Sequence, residues 1–214
     1  MNIVKLGIAI KDIKGPASLL VRHAERPNIP FRDVDHLVKI TDQGRKSTEE
    51  LGRLIGDKLG SVATSSVPRC LDTSEAIIKG SGNLEIPINI SWRLGNPGIW
   101  ITDGEAAWSE FLKHGLNQII KYQVEGKILN GFRSLKEGID IMLDYIFGIA
   151  NENEGINILV SHDAVIAPFL GYLLGTSDTA EILPSFLEGV LLSRTESGLK
   201  VYWRDKWFNI SDGA

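Results

Sequence analysis

Apolar residues along this chain fall into two alternating patterns: compact runs of strand length, and stripes at helical spacing. Ala17 to Val21 and Ile156 to Val160 are runs of the first kind, the signature of strands buried on both faces of a parallel sheet. Val62 to Ser65 and Ile86 to Ile90 read as two further short strands. Thr41 can cap a helix that carries Leu51, Leu54, Ile55 and Leu59 on one face and ends at Gly60. Ser66 and Pro68 open a second helix, with Leu71, Ile77 and Ile78, that stops at Gly80 or Gly82; proline in a first turn sacrifices no hydrogen bond. Ahead of these, Ile3, Val4, Leu6, Ile8 and Ile10 alternate loosely before Gly15-Pro16, which suits an edge strand or an ordered lead-in. Pro27 and Pro30 keep the chain extended after the first strand, and Phe31 to Lys39 reads as loop.

The rhythm changes after the third strand. Asn96-Pro97-Gly98 is a turn, and Asp103 can cap a helix bearing Ala107, Trp108, Phe111, Leu112, Ile119 and Ile120. After a break from Gly126 to Gly131, Ser134 and Glu137 form a capping box for a long helix with Leu135, Ile139, Met142, Leu143, Ile146 and Phe147 inward. Helices in succession without a strand between them mark a helical insertion over about residues 96–152. The fourth strand then leads into Ser161-His162-Asp163 and a helix to Leu174, closed by Gly175. Pro168 lies near enough to its start to be tolerated. Glu188 to Arg194 and Leu199 to Arg204 flank a Glu196-Ser197-Gly198 turn as a closing hairpin. The pattern therefore predicts one α/β domain over residues 1–214, with a mainly parallel central sheet, helices on both faces and that insertion.

Composition narrows the partners. The 214 residues carry 23 Lys and Arg against 27 Asp and Glu, a net charge of -4, which is not the basic field of a nucleic-acid binder. An anion must therefore be met by locally placed arginines. The single cysteine, Cys70, permits neither an internal disulfide nor a cysteine zinc cage and reads as small buried filler. No apolar run has the length of a membrane span or a signal-peptide core, so the expected location is the cytoplasm, without a membrane partner.

Three strand ends carry the chemistry. The first strand exits into Arg22, His23 and Arg26, the second into Ser65, Ser66 and Arg69, and the fourth into His162 and Asp163. Ligands of open α/β sheets bind outside the carboxyl ends of the strands, where helix N-termini add N–H donors. Guanidinium groups match phosphate oxygens with paired donors and stay charged, while cations around an imidazole favour its neutral, nucleophilic form. A leaving oxygen also needs an acid, and Asp163 is the carboxylate adjacent to His162. The same aspartate would equally suit the N-cap of the following helix.

At these residues the chain resembles the histidine phosphatase superfamily, which includes the cofactor-dependent phosphoglycerate mutases and the histidine acid phosphatases. The family's arginine-histidine-glycine stands here as Arg22-His23-Ala24, its downstream arginine as Arg69 in Ser65-Ser66-Val67-Pro68-Arg69, and its late histidine as His162. The likeness runs from residue 17 to about 175, with the motifs in the family's order. Arg26-Pro27 and the His162-Asp163 pair resemble the acid phosphatase branch, whose proton donor is that aspartate. The mutase-like branch places a glutamate after the third strand, and Ser91-Trp92-Arg93-Leu94-Gly95 has no carboxylate.

The resemblance implies a phosphoglycerate mutase-like fold and hydrolysis of phosphate monoesters through a phosphohistidine. His23 would attack phosphorus, Arg22, Arg26, Arg69 and His162 would hold its oxygens, and Asp163 would protonate the leaving group. Glu25, Asp103 and Glu105 are reserve donors, and His36 and His114 are not expected to take part. Trp92, Trp100 and Trp108 suit either core packing or a substrate mouth. The partner is a small phosphorylated substrate or a phosphoprotein, with inorganic phosphate as product; no metal or other cofactor is implied, because arginines would repel a cation. A mutase-like phosphotransferase and a non-catalytic phosphate-binding protein are the alternatives. Ala24 in place of glycine would cost about 1 kcal/mol if that position required a positive φ.

Overall fold

Side-chain alternation along the two central strands divides the molecule into layers. In β1 (Ala17–Arg22), Ala17, Leu19 and Val21 enter one apolar cluster and Leu20 enters another; in β4 (Ile156–Ser161), Ile156, Ile158 and Val160 face the first and Leu159 the second. The computed structural model describes residues 3–28, 37–196 and 198–211. Its sheet has the order β3-β2-β4-β1-β5-β6-β7, with β2 Leu59–Thr64, β3 Ile88–Ile90, β5 Gly189–Thr195, β6 Gly198–Trp203 and β7 Lys206–Ile210. The pairs among β3, β2, β4 and β1 are parallel, and those from β1 to β7 are antiparallel. The sheet is thus mixed with a parallel core, and the α/β expectation holds.

Helices cover both faces. On one side lie α1 (Ile3–Asp12), α2 (Asp42–Ile55) and α3 (Pro68–Ser81), which bury Leu6, Ile10, Leu51, Ile55 and Ile77 against the sheet. On the other lie α5 (Leu116–Val124), α6 (Leu135–Glu152), α7 (Asp163–Leu174) and α8 (Thr179–Ile182), which contribute Ile120, Met142, Phe169 and Ile182. With α4 (Gly104–His114), α5 and α6 form the helical run expected between the third and fourth strands. Ser134 and Glu137 make the capping box, and Gly82 and Gly175 close α3 and α7 in the left-handed conformation. Among the described residues, no helix is long and apolar enough to cross a membrane.

Four details differ from the pattern reading. The lead-in is the helix α1, not a strand, because Leu6, Ala9, Ile10 and Ile13 recur at helical spacing and pack on the first cluster. The helix capped by Thr41, α2, ends at Gly56, with φ 56°, and not at Gly60. Leu59, taken as its last apolar position, opens β2 and reaches the same cluster from the strand. Gly115 splits the helix after Asp103 in two, and Trp108 and Leu112 are each 52% exposed on α4. A third antiparallel strand, β7, extends the closing hairpin. Most of Phe31 to Lys39, including His36, lies outside the described residues.

The antiparallel edge is braced by one ion pair. Arg204 donates to both oxygens of Glu188, at 3.0 and 3.1 Å, and to the carbonyls of Ala180, Glu181 and Leu183. Glu188 is buried, which pushes its carboxyl up, but the bonds from Arg204 and the Ser185 N–H outweigh this and hold it below its ordinary range. Removing one partner of such a pair strands the other charge. Arg204→Ala is therefore expected to cost about 3 kcal/mol in urea unfolding. A loss under about 1 kcal/mol would show that the pair does not brace this edge.

Candidate active site

Because β1, β2 and β4 are parallel, their carboxyl ends meet at one edge of the sheet. Arg22 pairs with Ser161 in register, and the His23 N–H donates to the Ser161 carbonyl at 3.0 Å. The next residue on β4, His162, is thereby set beside His23, with ring centroids 5.4 Å apart at an interplanar angle of 67°. Ser65 follows β2, and the turn after it starts α3 with Pro68 and Arg69 in its first turn. Arg22, His23, Arg26, Arg69, His162 and Asp163 all line one cleft of about 650 Å³, so the six residues expected from sequence come together.

The hydrogen bonds fix the state of each ring. His23 is 2% exposed and its Nδ1 lies 2.9 Å from the Ala24 carbonyl, which can only accept; Nδ1 therefore carries the proton. Nε2 is left with its lone pair and accepts from Arg69 Nε at 3.1 Å. At His162 the assignment is reversed. Arg69 Nη2 stands 3.4 Å from Nδ1 and can only donate, so Nε2–H faces Ser65 Oγ at 3.0 Å. Burial, the His162 ring and the nearby guanidinium groups push His23 down from 6.5 to about 2, against the opposing pull of the Ala24 carbonyl. Burial and the three arginines push His162 down to about 3. Both rings are neutral at working pH.

These shifts make stability pH-dependent with a definite sign. Between pH 3 and 6.5 the unfolded chain binds protons at both histidines that the folded chain does not, so stability rises with pH there and is lost as pH falls below 6.5. Acidification from pH 6.5 to 5 is expected to cost about 3 kcal/mol from the two rings together. His162→Gln should remove about half of that slope. Urea titrations at several pH values check it, and a flat profile would contradict the buried neutral pair.

Arg22 is held from several sides. Its Nη2 meets Asp163 Oδ2 at 2.6 Å, Nη1 donates to the Pro184 carbonyl at 2.8 Å, and the guanidinium lies 4.4 Å from the centre of the Phe186 ring. Its Nε is buried with no hydrogen-bond partner among the described residues, a donor without an acceptor. Arg26 Nη1 donates to the Pro27 carbonyl. Asp163 is the first residue of α7, not its N-cap, which is His162; Oδ1 accepts the Ala164 N–H at 2.8 Å while Oδ2 faces Arg22. Asp163 thus serves the helix start and the cleft together.

The reserve acids lie elsewhere. Glu25 accepts from Thr41 Oγ1, Asp103 caps α4, and neither these nor Glu105 line the cleft. His114 lies 3.3 Å from Glu110, meets the Tyr122 ring edge-on, and does not line the cleft. Ala24 is buried with its N–H on Thr73 Oγ1, and it does not have a positive φ, so the replacement of glycine carries no backbone strain. Burial pushes the Cys70 thiol up to about 12, leaving it as neutral filler beside His162. Among the described residues, no group of three or more His, Cys, Asp or Glu is placed to hold a metal ion.

Several contributors carry no motif. Pro184 and Phe186 come from a loop far along the chain, and Ser65 is one of many serines until His162 is placed beside it. Gly95, with φ 137°, lies flat against His162: a Cβ there would come within 2.5 Å of the ring. Its position between a strand and a turn was the available signal. Of the tryptophans, Trp108 lines the cleft, Trp100 is core and donates to the Val165 carbonyl, and Trp92 stacks with Arg93.

Comparison with known proteins bears on the family and the fold. Residues 18–182 match the model of the histidine phosphatase superfamily (branch 1). No curated protein sequence is significantly similar. Among solved structures, a phosphoserine phosphatase from Entamoeba histolytica superimposes with a TM-score of 0.60 at 18% identity, over 91% of this chain and 97% of that one. Bacillus stearothermophilus YhfR gives 0.57 at 19% identity over 91% and 98%. A Bacillus anthracis phosphoglycerate mutase gives 0.55 at 15% identity over 94% of each chain. At these identities the neighbours show a shared, phosphoglycerate mutase-like fold. The acid-phosphatase-like features at Arg26-Pro27 and His162-Asp163 are accordingly local ones, within a chain whose family model is that of branch 1. The chain belongs to the histidine phosphatase superfamily, whose members are phosphatases and mutases.

Proposed function

We propose that the protein hydrolyses phosphate monoesters through a phosphohistidine on His23. The observation that carries this reading is the state of that ring: Nδ1 is committed to the Ala24 carbonyl, and Nε2, in a cleft lined by three arginines, has an unprotonated lone pair that is freed for attack when phosphate draws Arg69 Nε away from it. Nε2 attacks phosphorus as the bond to the ester oxygen breaks. Arg22, Arg26, Arg69 and the His162 N–H, once it turns from Ser65 Oγ to the substrate, stabilise the charge on the other phosphate oxygens. The leaving oxygen takes its proton from Asp163. Water then attacks phosphorus, gives a proton back to the Asp163 carboxylate and breaks the N–P bond, releasing inorganic phosphate and restoring His23.

The pairing of Arg22 with Asp163 fits this sequence. A phosphate dianion drawing on the Arg22 guanidinium loosens its hold on Asp163 and frees the carboxyl group to meet the leaving oxygen. Among the described residues Asp163 is also the carboxylate that lines the cleft, and none stands in the 91–95 stretch where a mutase-like enzyme would place one, which favours hydrolysis over return of the phosphoryl group. The chemistry needs no metal, and the proposed setting is the cytoplasm. Turnover of p-nitrophenyl phosphate that survives EDTA and yields stoichiometric inorganic phosphate is the expected result. Phosphate bound without turnover would favour a binding protein, and phosphoryl transfer to phosphoglycerate without phosphate release would favour a mutase.

A further inference from the structure

The two sides of the cleft differ in kind. Its charged residues, Arg22, Arg26, Arg69 and Asp163, all stand at a strand end, in the loop after it or in the first turn of the next helix. The stretch from residue 101 to 116 contributes Ile101, Gly104, Ala107, Trp108, Phe111 and Leu116 to the lining and no charged side chain. Val165 continues this surface from α7. The cleft, at about 650 Å³, is of a size that holds a drug-sized molecule, so a phosphate on the arginines leaves most of it to the rest of the ester. A lone exposed tryptophan would need no explanation. Trp108, however, is 52% exposed one helical turn from Phe111, and both rings belong to the same wall.

We infer that this wall selects esters whose leaving group is bulky, uncharged and apolar, an aryl or arylalkyl alcohol rather than a hydroxy acid, a sugar or a bisphosphate. The inference rests on the phosphatase reading and deepens it. A carboxylate or second phosphate on the leaving group would be carried against Ile101, Phe111 and Leu116, where no cation among the described residues answers it. Sugar hydroxyls would likewise leave their water partners for a wall on which, among the described residues, the Trp108 indole N–H is the one side-chain polar group. An aromatic group instead gains from burial, by roughly fourfold in affinity for each methylene-sized increment of apolar surface.

The test compares esters of matched leaving-group reactivity. With the whole protein, kcat/KM for 2-naphthyl phosphate should exceed that for phenyl phosphate by about tenfold, and 3-phenylpropyl phosphate should exceed 3-phosphoglycerate and phosphoserine by about 100-fold. Trp108→Arg, on an exposed helix position, should narrow the second ratio about tenfold by adding a cation to the wall. Turnover of the hydroxy-acid phosphates at or above that of phenylpropyl phosphate would overturn the inference, as would ratios unmoved in Trp108→Arg. Binding separates this failure from failure of the phosphatase reading. Even if no ester is hydrolysed, naphthylmethylphosphonate should bind about tenfold tighter than methylphosphonate in calorimetry, and equal binding overturns the apolar wall by itself.

Discussion

His23→Ala is expected to lower kcat/KM for p-nitrophenyl phosphate by about 10⁴-fold or more, with the fold and the phosphate affinity largely kept. The size of the effect follows from what the ring does. Removing it deletes the atom to which phosphorus is transferred, and no neighbour can replace it: His162 turns Nε2–H toward Ser65, and the Cys70 thiol is buried and neutral. The arginine cluster would survive, so inorganic phosphate or vanadate should still bind to the variant. A residual activity within about tenfold of wild type would mean that water attacks the ester directly and that His23 only shapes the cleft.

The second large effect concerns Asp163. A p-nitrophenolate ion leaves without a proton, whereas an alkoxide cannot, so Asp163→Asn should slow alkyl phosphates by about 10³-fold and p-nitrophenyl phosphate by less than about tenfold. The substitution also removes the ion pair with Arg22, but that guanidinium keeps its bonds to the Pro184 carbonyl and its place over Phe186. Loss of the pair would affect both substrates alike, because both carry the same phosphate. The ratio of the two losses, not either loss alone, therefore reports proton donation. Equal losses would reassign Asp163 to holding Arg22 in place.

Much of this architecture was legible because it is local. The parallel core announced itself in compact apolar runs, each followed within a few residues by a polar exit, and caps such as Ser134 with Glu137 are written in four residues. Arg22, His23, Arg69, His162 and Asp163 were recoverable because each lies at or just after a strand end or in the first turn of the next helix, and parallel pairing brings those ends together. Misreadings occurred where two local codes coincide. The residues of α1 alternate loosely while also keeping a helical stripe, and only its packing against α2 and the sheet decides between them. Leu59 satisfies a helix face and a strand equally, and the turn at Gly56 settles the matter.

What sequence could not show was contact between distant segments. Nothing in Ser185-Phe186-Leu187 marks a loop that reaches Arg22 and His23, since its placement depends on β5 pairing antiparallel to β1. The spacing of Trp108 and Leu112 is helical but does not say what the helix packs on; α4 ends at Gly115, both side chains are exposed, and Trp108 lines the cleft. The tautomers of the two histidines are likewise invisible in sequence: that of His162 is set by Arg69 from another segment, and that of His23 by a ring orientation that aims Nδ1 at the adjacent Ala24 carbonyl.

The most direct measurement is to quench the enzyme during turnover and locate the phosphoryl group. Rapid mixing with a phosphate monoester, an alkaline quench and mass spectrometry of the peptides should find one phosphoryl group on His23, stable in base and lost in acid. It should be absent in His23→Ala and should accumulate when the nucleophilic water step is slowed. Steady phosphate release with no phosphohistidine at any quench time, or a phosphoryl group on another residue, would contradict the account.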